Sequence, residues 1–280
     1  MIKVPFLGII SWFLLLFYLV LVFAPLLWIV ISSFKTNAEF FSRPVGIPSR
    51  FVWQNFKAVL SYGGSFSEEP LMKFLGNSAV VTFLGTVINL LLALPASYLF
   101  LYSFRYKDFL YSFLTFGLFL PTSAFMVPYM FIVSRLGLYD TRLGIALTYA
   151  GMTLPLSFLI IQTYMRINVP RDIIEAASLD GASFHQIFIR IAIPLSRGGI
   201  ITAVVFLTIT FWNELLYALL FSQSEGSRTI QIAISSLIST YAANYPQAFA
   251  AITISIAPII VVYAMLNKYI VSGLSVYIEK

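Results

Sequence analysis

Side chains capable of covalent or acid–base chemistry are scarce in this sequence. It has no cysteine and one histidine, His185, among 280 residues. Disulfides, thiolate ligands, cysteine nucleophiles and multi-histidine metal sites are therefore excluded. Two places do group polar residues: Glu175 and Asp180 stand in a polar stretch, and Asn213 and Glu214 are adjacent in an apolar one. Such groups can pair with charges, cap helices or bind polar ligands, but they have no catalytic constellation around them.

The polar stretch, residues 166–195, begins with the signals of a short helix. Pro170 suits the first helical position, and Asp172 and Glu175 follow it near the positive end of the helix dipole. The pattern predicts that this helix ends near Leu179.

A second short helix is predicted directly afterwards. Gly181 permits the turn between the two, and either Asp180 or Ser183 could cap the new helix. We expect this helix to run through Ile191 and to end at Pro194. His185 is interpreted as an exposed loop residue, because a proton relay would need intramembrane partners that the sequence does not offer.

The composition indicates what surrounds these segments. The chain is 60% hydrophobic and only 10% charged, against roughly 25% charged in an ordinary soluble domain. About 20 helical residues cross a ~30 Å hydrocarbon core. Backbone groups in lipid must be hydrogen-bonded internally, so apolar runs of this length should be helices. The fold predicted is all-α, a single transmembrane domain over residues 1–280. Its six predicted spans are 7–33, 74–103, 109–134, 142–165, 199–222 and 248–270.

Charge says little about orientation or partners. The net charge of +6 comes from basic residues scattered along loops, so a nucleic-acid partner is not indicated. The first apolar run is too long for a cleavable signal peptide and should remain as a span. Six spans put both termini on one side. With the N-terminus cytoplasmic, basic residues divide almost evenly, so the positive-inside rule favours that orientation only slightly.

Some irregular features of the spans and loops are also predicted. Pro121 and Pro128, close together in the third span, are the best candidates for a functional bend. Residues 35–73 should form a folded extramembrane loop without its own core. Residues 229–238 fit a helix or a strand, and a short helix at the membrane face is favoured.

The polar stretch resembles the EAA loop of importer permeases, the membrane subunits of ATP-binding-cassette import systems. One position departs conservatively, because the family pattern ends in Leu-Pro and this chain has Ile-Pro. The residues that carry the likeness are Glu175, Ala176, Ala177, Gly181, Ile191, Ile193 and Pro194.

Further residues, in order along nearly the whole chain, narrow the likeness to carbohydrate importers. The chain is similar to the shorter permease subunit typified by the maltose system, in the group that handles oligosaccharides and glycerol phosphates. These residues are Ser33-Phe34-Lys35, Glu39-Phe40-Phe41, Asn77-Ser78, Leu136-Gly137-Leu138-Tyr139-Asp140-Thr141 and Trp212-Asn213-Glu214.

The resemblance implies a type I importer permease fold in a bacterial inner membrane, with both termini and the loop 166–195 cytoplasmic. It implies three kinds of partner besides lipid: a second permease, two ATPase subunits that bind ATP and magnesium, and an extracytoplasmic solute-binding protein. This chain has no phosphate-loop motif, so we expect a transport subunit with no cofactor and no ATPase site of its own. The residues implied to contact the ATPase are Glu175, Ala176, Ala177, Asp180 and Gly181.

Glu214 is the acid placed deepest in a predicted span. A charged acid facing lipid there would cost on the order of 2.5–3.5 kcal/mol, so it should face a partner helix, a cavity or solvent. Asn213 and Glu214 are therefore candidates for the translocation path or for a permease–permease contact. The alternative is that the fifth span ends earlier and that Glu214 lies at the outer interface, with Trp212 and Tyr217 in an aromatic belt.

Other functions stay open at this point. The cargo of an importer permease could be a polyamine or a phosphate ester instead of a sugar. An ion-coupled secondary transporter or channel would require paired intramembrane charges and inverted repeats, and no convincing ones are found. A membrane-embedded enzyme would require clustered catalytic groups at membrane depth.

Overall fold

A computed structural model describes residues 5–62, 69–239 and 244–275, with side chains described over 11–61, 69–238 and 244–265. Every regular element within these ranges is helical, which agrees with the predicted all-α fold. The α-helices are α1 (Pro5–Ser32), α2 (Asn37–Ser42), α3 (Gln54–Tyr62), α4 (Leu71–Leu99), α5 (Lys107–Phe116), α6 (Met126–Arg135), α7 (Arg142–Asn168), α8 (Arg171–Leu179), α9 (Phe184–Ile187), α10 (Ile193–Leu195), α11 (Arg197–Asn213), α12 (Leu216–Phe221), α13 (Ile230–Ser239) and α14 (Tyr245–Ser275).

Four of these helices, α1, α4, α7 and α14, are long and apolar enough to cross a membrane by themselves. Two further candidates among the described residues are bent pairs. Lys107–Phe119 and Thr122–Arg135 meet at 101°, and Phe184–Leu195 and Arg197–Asn213 meet at 73°. The described residues therefore hold four candidate spans, or six when each bent pair is counted as one.

The bend in the third span lies at Pro121. Two short 3₁₀ turns, Gly117–Phe119 and Thr122–Phe125, flank it, and Leu120 between them is extended. Pro128 lies in the first turn of α6, where the backbone N–H has no intrahelical partner to lose. Of the two prolines predicted to bend this span, Pro121 therefore breaks it and Pro128 does not.

The described residues divide into two compact units. One is drawn from Met1–Lys73 and Ala233–Ala257, and the other from Phe74–Ile232 and Pro258–Lys280. That the chain is one domain stays a prediction.

In the first unit, polar contacts fold the loop that follows α1. Lys35 is only 1% exposed, and its Nζ donates to the carbonyls of Arg43 at 2.9 Å and Pro44 at 3.1 Å. Asn55 Nδ2 donates to the carbonyls of Ser33 at 2.7 Å and Lys35 at 2.9 Å. These bonds tie the C-terminal end of α2 and the start of α3 to the residues that follow α1, where a folded loop was predicted.

The second unit is organised around α7, whose N-terminus is capped by Thr141. One buried cluster includes Tyr149, Phe211 and Phe221 and lies between α7, α11 and α12. A second cluster, described below, surrounds the C-terminal end of α7. α11 approaches α7 closely, because a Cβ on Gly199 would lie 2.4 Å from Tyr164 Cβ.

The segment predicted as a helix or a strand is the helix α13. Its apolar side chains Ile230, Ile232, Ile234 and Leu237 are buried. Whether it lies at the membrane face stays a prediction.

Candidate functional site

The loop over residues 166–195, called the coupling loop from here on, begins as its sequence predicts. Pro170 precedes the first helix, and α8 ends at Leu179. Gly181 follows with φ of +81°, a left-handed conformation in which a side chain is strained. The predicted turn at this glycine is confirmed.

The second helix of the coupling loop is capped by Ser183. The Ser183 hydroxyl accepts from the Gln186 backbone N–H at 3.3 Å, and the Gln186 side-chain oxygen accepts from the Ser183 N–H at 2.7 Å. This is a capping box. Of the two predicted caps, Ser183 therefore serves and Asp180 does not. His185 is exposed, as predicted, but it lies within α9.

Pro194 does not end that helix, which is a correction to the sequence prediction. The helical run continues from α9 through a π-turn, Phe188–Ala192, into α10 and ends at Leu195. The wide turn leaves room for the proline ring, and it accommodates the hydrogen bond that is lost because proline has no backbone N–H. The break with its 73° bend follows at Ser196.

Aromatic side chains attach the coupling loop to the C-terminal end of α4. Tyr98 is 1% exposed, and its hydroxyl donates to the Phe184 carbonyl at 3.2 Å and lies 2.5 Å from the Tyr102 hydroxyl. The ring centroids of Phe184 and Phe188 lie 4.7 Å and 5.0 Å from that of Tyr98. The loop is thus fixed to a membrane helix by rings and hydrogen bonds.

Buried apolar side chains also attach the coupling loop to α7 and α11. Ile174 of α8 and Ile187 of α9 belong to a buried cluster with Ile161 and Met165 of α7, and Ala203 of α11 completes it. One side of the coupling loop is therefore continuous with the core of the membrane helices.

Four of the five residues implied to contact an ATPase lie on the opposite side. Glu175, Ala176, Asp180 and Gly181 are exposed. Ala177 is half-buried and packs against the cluster underneath. The structure thus brings together an exposed face of two acids, a small side chain and a glycine.

Leu179 is a feature of this face that sequence reasoning missed. Its side chain is 90% exposed at the C-terminal end of a helix whose buried face points the other way. Beside it is a surface cleft of about 500 Å³, lined by Tyr102, Arg171, Glu175 and others. Exposed apolar groups rimmed by charges mark interaction surfaces. The signal available in the sequence was a leucine out of phase with the apolar stripe of α8.

The second predicted pair, Asn213 and Glu214, lies at a break in the fifth span. α11 ends at Asn213, and Glu214 has extended backbone before α12. The Glu214 carboxylate accepts from the N–H groups of Tyr217 at 3.0 Å and Ala218 at 3.1 Å, and from the Tyr149 hydroxyl at 2.9 Å. The predicted continuous span 199–222 is thus wrong at this point, because the acid caps a new helix where it would otherwise face lipid uncompensated.

A second polar cluster, called the Asp140 knot, joins the α6–α7 loop to the segment after α12. Asp140 has φ of +58°. Its carboxylate accepts from the N–H of Gln223 at 2.8 Å, from the N–H of Ser224 at 3.0 Å and from the Ser227 hydroxyl. Burial raises the pKa of Asp140, but these hydrogen bonds outweigh it and hold the pKa at about 2.

The start of α4 completes the Asp140 knot. Asn77 Nδ2 donates to the carbonyls of Glu225 at 3.2 Å and Arg228 at 2.8 Å. The Ser78 hydroxyl accepts from the Ile230 N–H at 2.8 Å. Residues noted in the sequence only as part of the family likeness thus join three segments that are remote in sequence.

Neither site has the makeup of a metal centre. Over the described ranges, no three His, Cys, Asp or Glu side chains are grouped so that they could hold a metal ion.

Comparisons with known proteins agree on the class of molecule. Residues 85–276 match the family model described as binding-protein-dependent transport system inner membrane component. The chain is 31% identical to a probable ABC transporter permease protein, YurM of Bacillus subtilis, over 94% of this chain and 86% of the relative. It is 29% identical to the diacetylchitobiose uptake system permease protein NgcG of Streptomyces coelicolor, over 95% of this chain and 87% of that relative.

A solved structure shows the same fold. A chain in the crystal structure of a bacterial ABC transporter for import of the acidic polysaccharide alginate superposes with a TM-score of 0.80. The alignment covers 96% of this chain and 98% of that one at 22% identity. The predicted type I importer permease fold is therefore confirmed.

Proposed function

This chain belongs to the family of binding-protein-dependent transport system inner membrane components, and we propose that within such a system it is one of two permease subunits that import a sugar. It is a multi-pass membrane protein and a transport subunit. The observation that carries the proposal is the coupling loop, which is anchored to membrane helices on one side and exposes Glu175, Ala176, Leu179 and Asp180 on the other.

The proposed partners follow from that exposed face. A cytoplasmic ATPase subunit docks on α8, and a second copy docks on the other permease. ATP and magnesium are bound by those subunits, while an extracytoplasmic protein delivers the solute. This arrangement puts the coupling loop and both termini in the cytoplasm of a bacterial cell.

Two observations favour a sugar as the cargo. A relative 29% identical to this chain is named for diacetylchitobiose uptake, and the likeness outside the coupling loop is to carbohydrate importers. Polyamine and phosphate-ester importers share the EAA loop, so they remain the alternative cargos.

The anchoring contacts suggest how ATP would do work. Closure of the ATPase pair displaces α8, and the Tyr98 contacts pass that displacement to α4, while the Ile174 cluster passes it to α7 and α11. Asn213 and Glu214, at the break after α11, line the path that opens to one side and then to the other.

The test is ATP hydrolysis by the complex purified through this chain. Wild type should carry an ATPase that is stimulated by a solute-binding protein with glucose, maltose or diacetylchitobiose. Glu175→Lys and Gly181→Pro should abolish stimulation or release the ATPase. Asp108→Lys, an exposed charge reversal at the start of α5, serves as the control and should leave stimulation intact. If no ATPase associates and transport proceeds without ATP, the proposal is wrong and an ion-coupled transporter takes its place.

A further inference from the structure

A small cavity lies beside the break in the third span. It has a volume of about 190 Å³ and is lined by residues that include Thr122, Phe125, Tyr129, Gly151 and Pro155. Pockets that enclose drug-sized ligands hold roughly 300–1,000 Å³, so this one suits a single small ring. None of its lining residues is charged.

Two glycines at the cavity differ in what they do for packing. A Cβ on Gly117 would lie 2.8 Å from Pro155 Cγ, so Gly117 is required for the close approach of the third span to α7. A Cβ on Gly151 would meet nothing nearer than the Tyr129 hydroxyl at 3.9 Å. The space in front of Gly151 is therefore not needed for helix packing and is left open.

The wall opposite Gly151 is aromatic and carries a free polar group. The Phe125 and Tyr129 ring centroids lie 6.4 Å apart at an interplanar angle of 57°. Tyr129 is half-buried, and no described side chain or backbone group within reach hydrogen-bonds its hydroxyl. The hydroxyl lies in front of Gly151 and lines the cavity, where it can donate a hydrogen bond to a polar molecule or accept one from it.

The cavity is joined to the break at Glu214. The Tyr217 N–H donates to the Glu214 carboxylate, and the Tyr217 hydroxyl donates to the carbonyl of Thr122, which lines the cavity. The Tyr217 ring centroid lies 5.9 Å from that of Tyr129. The breaks in the third and fifth spans thus form one polar region beside the proposed translocation path.

We propose that this cavity binds one ring of a neutral sugar during translocation. The Tyr129 hydroxyl hydrogen-bonds a sugar hydroxyl, and the faces of Phe125 and Tyr129 pack on the apolar face of the ring. Gly151 leaves the space that the ring occupies. The inference rests on the proposed function, which it deepens by assigning a substrate-contacting site to this chain.

The experiment uses the absence of native cysteine in this chain. Gly151→Cys places a thiol in the cavity, and Gly76→Cys, at an exposed position on α4 with nothing within 4 Å, provides the control thiol. The assembled transporter is treated with a charged methanethiosulfonate reagent, and label on this chain is followed with and without the sugar that wild type transports. The sugar is taken from glucose, maltose and diacetylchitobiose.

The expected result is that Gly151→Cys is labelled from water and that sugar slows the labelling about tenfold at about ten times its dissociation constant. Labelling of Gly76→Cys should not respond to sugar. Labelling of Gly151→Cys that ignores sugar would overturn the site, as would labelling only by a membrane-permeant maleimide, which would mean that lipid fills the cavity.

A transport measurement covers the case in which the cysteine variant does not assemble. Tyr129→Phe removes only the hydroxyl and should lower the sugar transport rate about two- to tenfold, the equivalent of one hydrogen bond. Gly151→Leu should block transport while Gly151→Ala preserves it. Tyr263→Phe, half-exposed on α14, should change nothing. Unchanged transport in Tyr129→Phe and Gly151→Leu would overturn the site alone, whereas a wild type that moves none of the three sugars would overturn the proposed function with it.

Discussion

The coupling loop and the Asp140 knot are both polar connections between helices, yet they treat their polar groups in opposite ways. In the knot, the Asp140 carboxylate, the Asn77 amide and the Ser78 hydroxyl each have hydrogen-bond partners in another segment. In the coupling loop, Glu175 and Asp180 are exposed, and the contact of Glu175 with Arg171 is a loose 3.7 Å.

The difference indicates that the two regions have different roles, one in stability and the other in binding a partner. A polar cluster whose groups are all hydrogen-bonded stabilises the folded chain, because those hydrogen bonds are lost when the segments that they join separate. Exposed acids beside an exposed leucine contribute little to folding. They are instead available to a partner. We expect changes in the knot to alter stability and changes in the coupling loop to alter association and coupling.

The largest expected effect comes from two glycines in the same backbone conformation. Gly181 in the coupling loop has φ of +81°, and Gly137, near the knot, has φ of +69°. Valine at either position should strain the turn by about 1–2 kcal/mol, a five- to thirtyfold effect on the local equilibrium. Gly181→Val should lower sugar-stimulated ATPase activity by that factor with little change in melting temperature. Gly137→Val should do the reverse, and equal losses of stability in both variants would remove the distinction.

Asp140→Asn tests the knot with the least change of shape. Asparagine tolerates positive φ but is a weaker acceptor, so we expect a loss of about 1 kcal/mol after allowance for solvent screening. The readout is the thermal unfolding of the purified protein, with ATPase association as the control that should not change.

The pH dependence of that loss follows from the direction of the pKa shift. The folded pKa of Asp140 is about 2, below its ordinary 3.8. Its stabilisation should therefore be complete above about pH 4 and should disappear as the pH falls through about 2. The stability difference between wild type and Asp140→Asn should accordingly shrink from pH 5 to pH 3. A difference that grows on acidification would contradict the assignment.

Leu179→Ser probes the exposed face of the coupling loop. A side chain that is 90% exposed buries its area only against a partner, so the change should weaken ATPase association by about 1–2 kcal/mol. Melting of the isolated chain should be unaffected, and Leu136→Ser, at a 63% exposed leucine between α6 and α7, is the control. Loss of stability in Leu179→Ser would place that residue among the internal contacts.

The smallest effect should come from the Arg171–Glu175 pair. Both side chains are about two-thirds exposed, and such pairs contribute about 0.3–0.5 kcal/mol. A double-mutant cycle with alanine should give a coupling energy of that size for unfolding. A value above about 1 kcal/mol would mean that the exposed face is ordered before any partner binds.

The two helices and the turn of the coupling loop could be predicted from sequence because their signals are local. Pro170, Gly181 and Ser183 each act on backbone within a few residues, and the helices begin and turn where those residues predict. Its side-chain exposure was less predictable, since Leu179 and Ala177 face directions that only the cluster underneath determines.

The sequence predictions were wrong or incomplete where the local conformation depends on residues that are distant in sequence. Glu214 breaks a span because the hydroxyl of Tyr149, on another helix, and two backbone N–H groups donate hydrogen bonds to its carboxylate. The Asp140 knot depends on pairings across three segments, which no local pattern encodes. The sequence predicted a proline bend in the third span but could not show that Pro121 breaks it and Pro128 does not, because that depends on where the helix on either side begins and ends.

The π-turn at Phe188–Ala192 has a consequence for sequence change in this region. A π-turn holds one residue more than the α-turn that it replaces, and each residue of an α-helix advances the chain by about 100°. Deleting one residue there would therefore restore a regular α-turn and leave the helical segments on either side nearly in phase, whereas a deletion elsewhere between Phe184 and Leu195 would rotate the coupling loop about 100° around the helix axis. Chains related to this one should therefore tolerate a single-residue deletion at the π-turn better than one in the helical turns beside it.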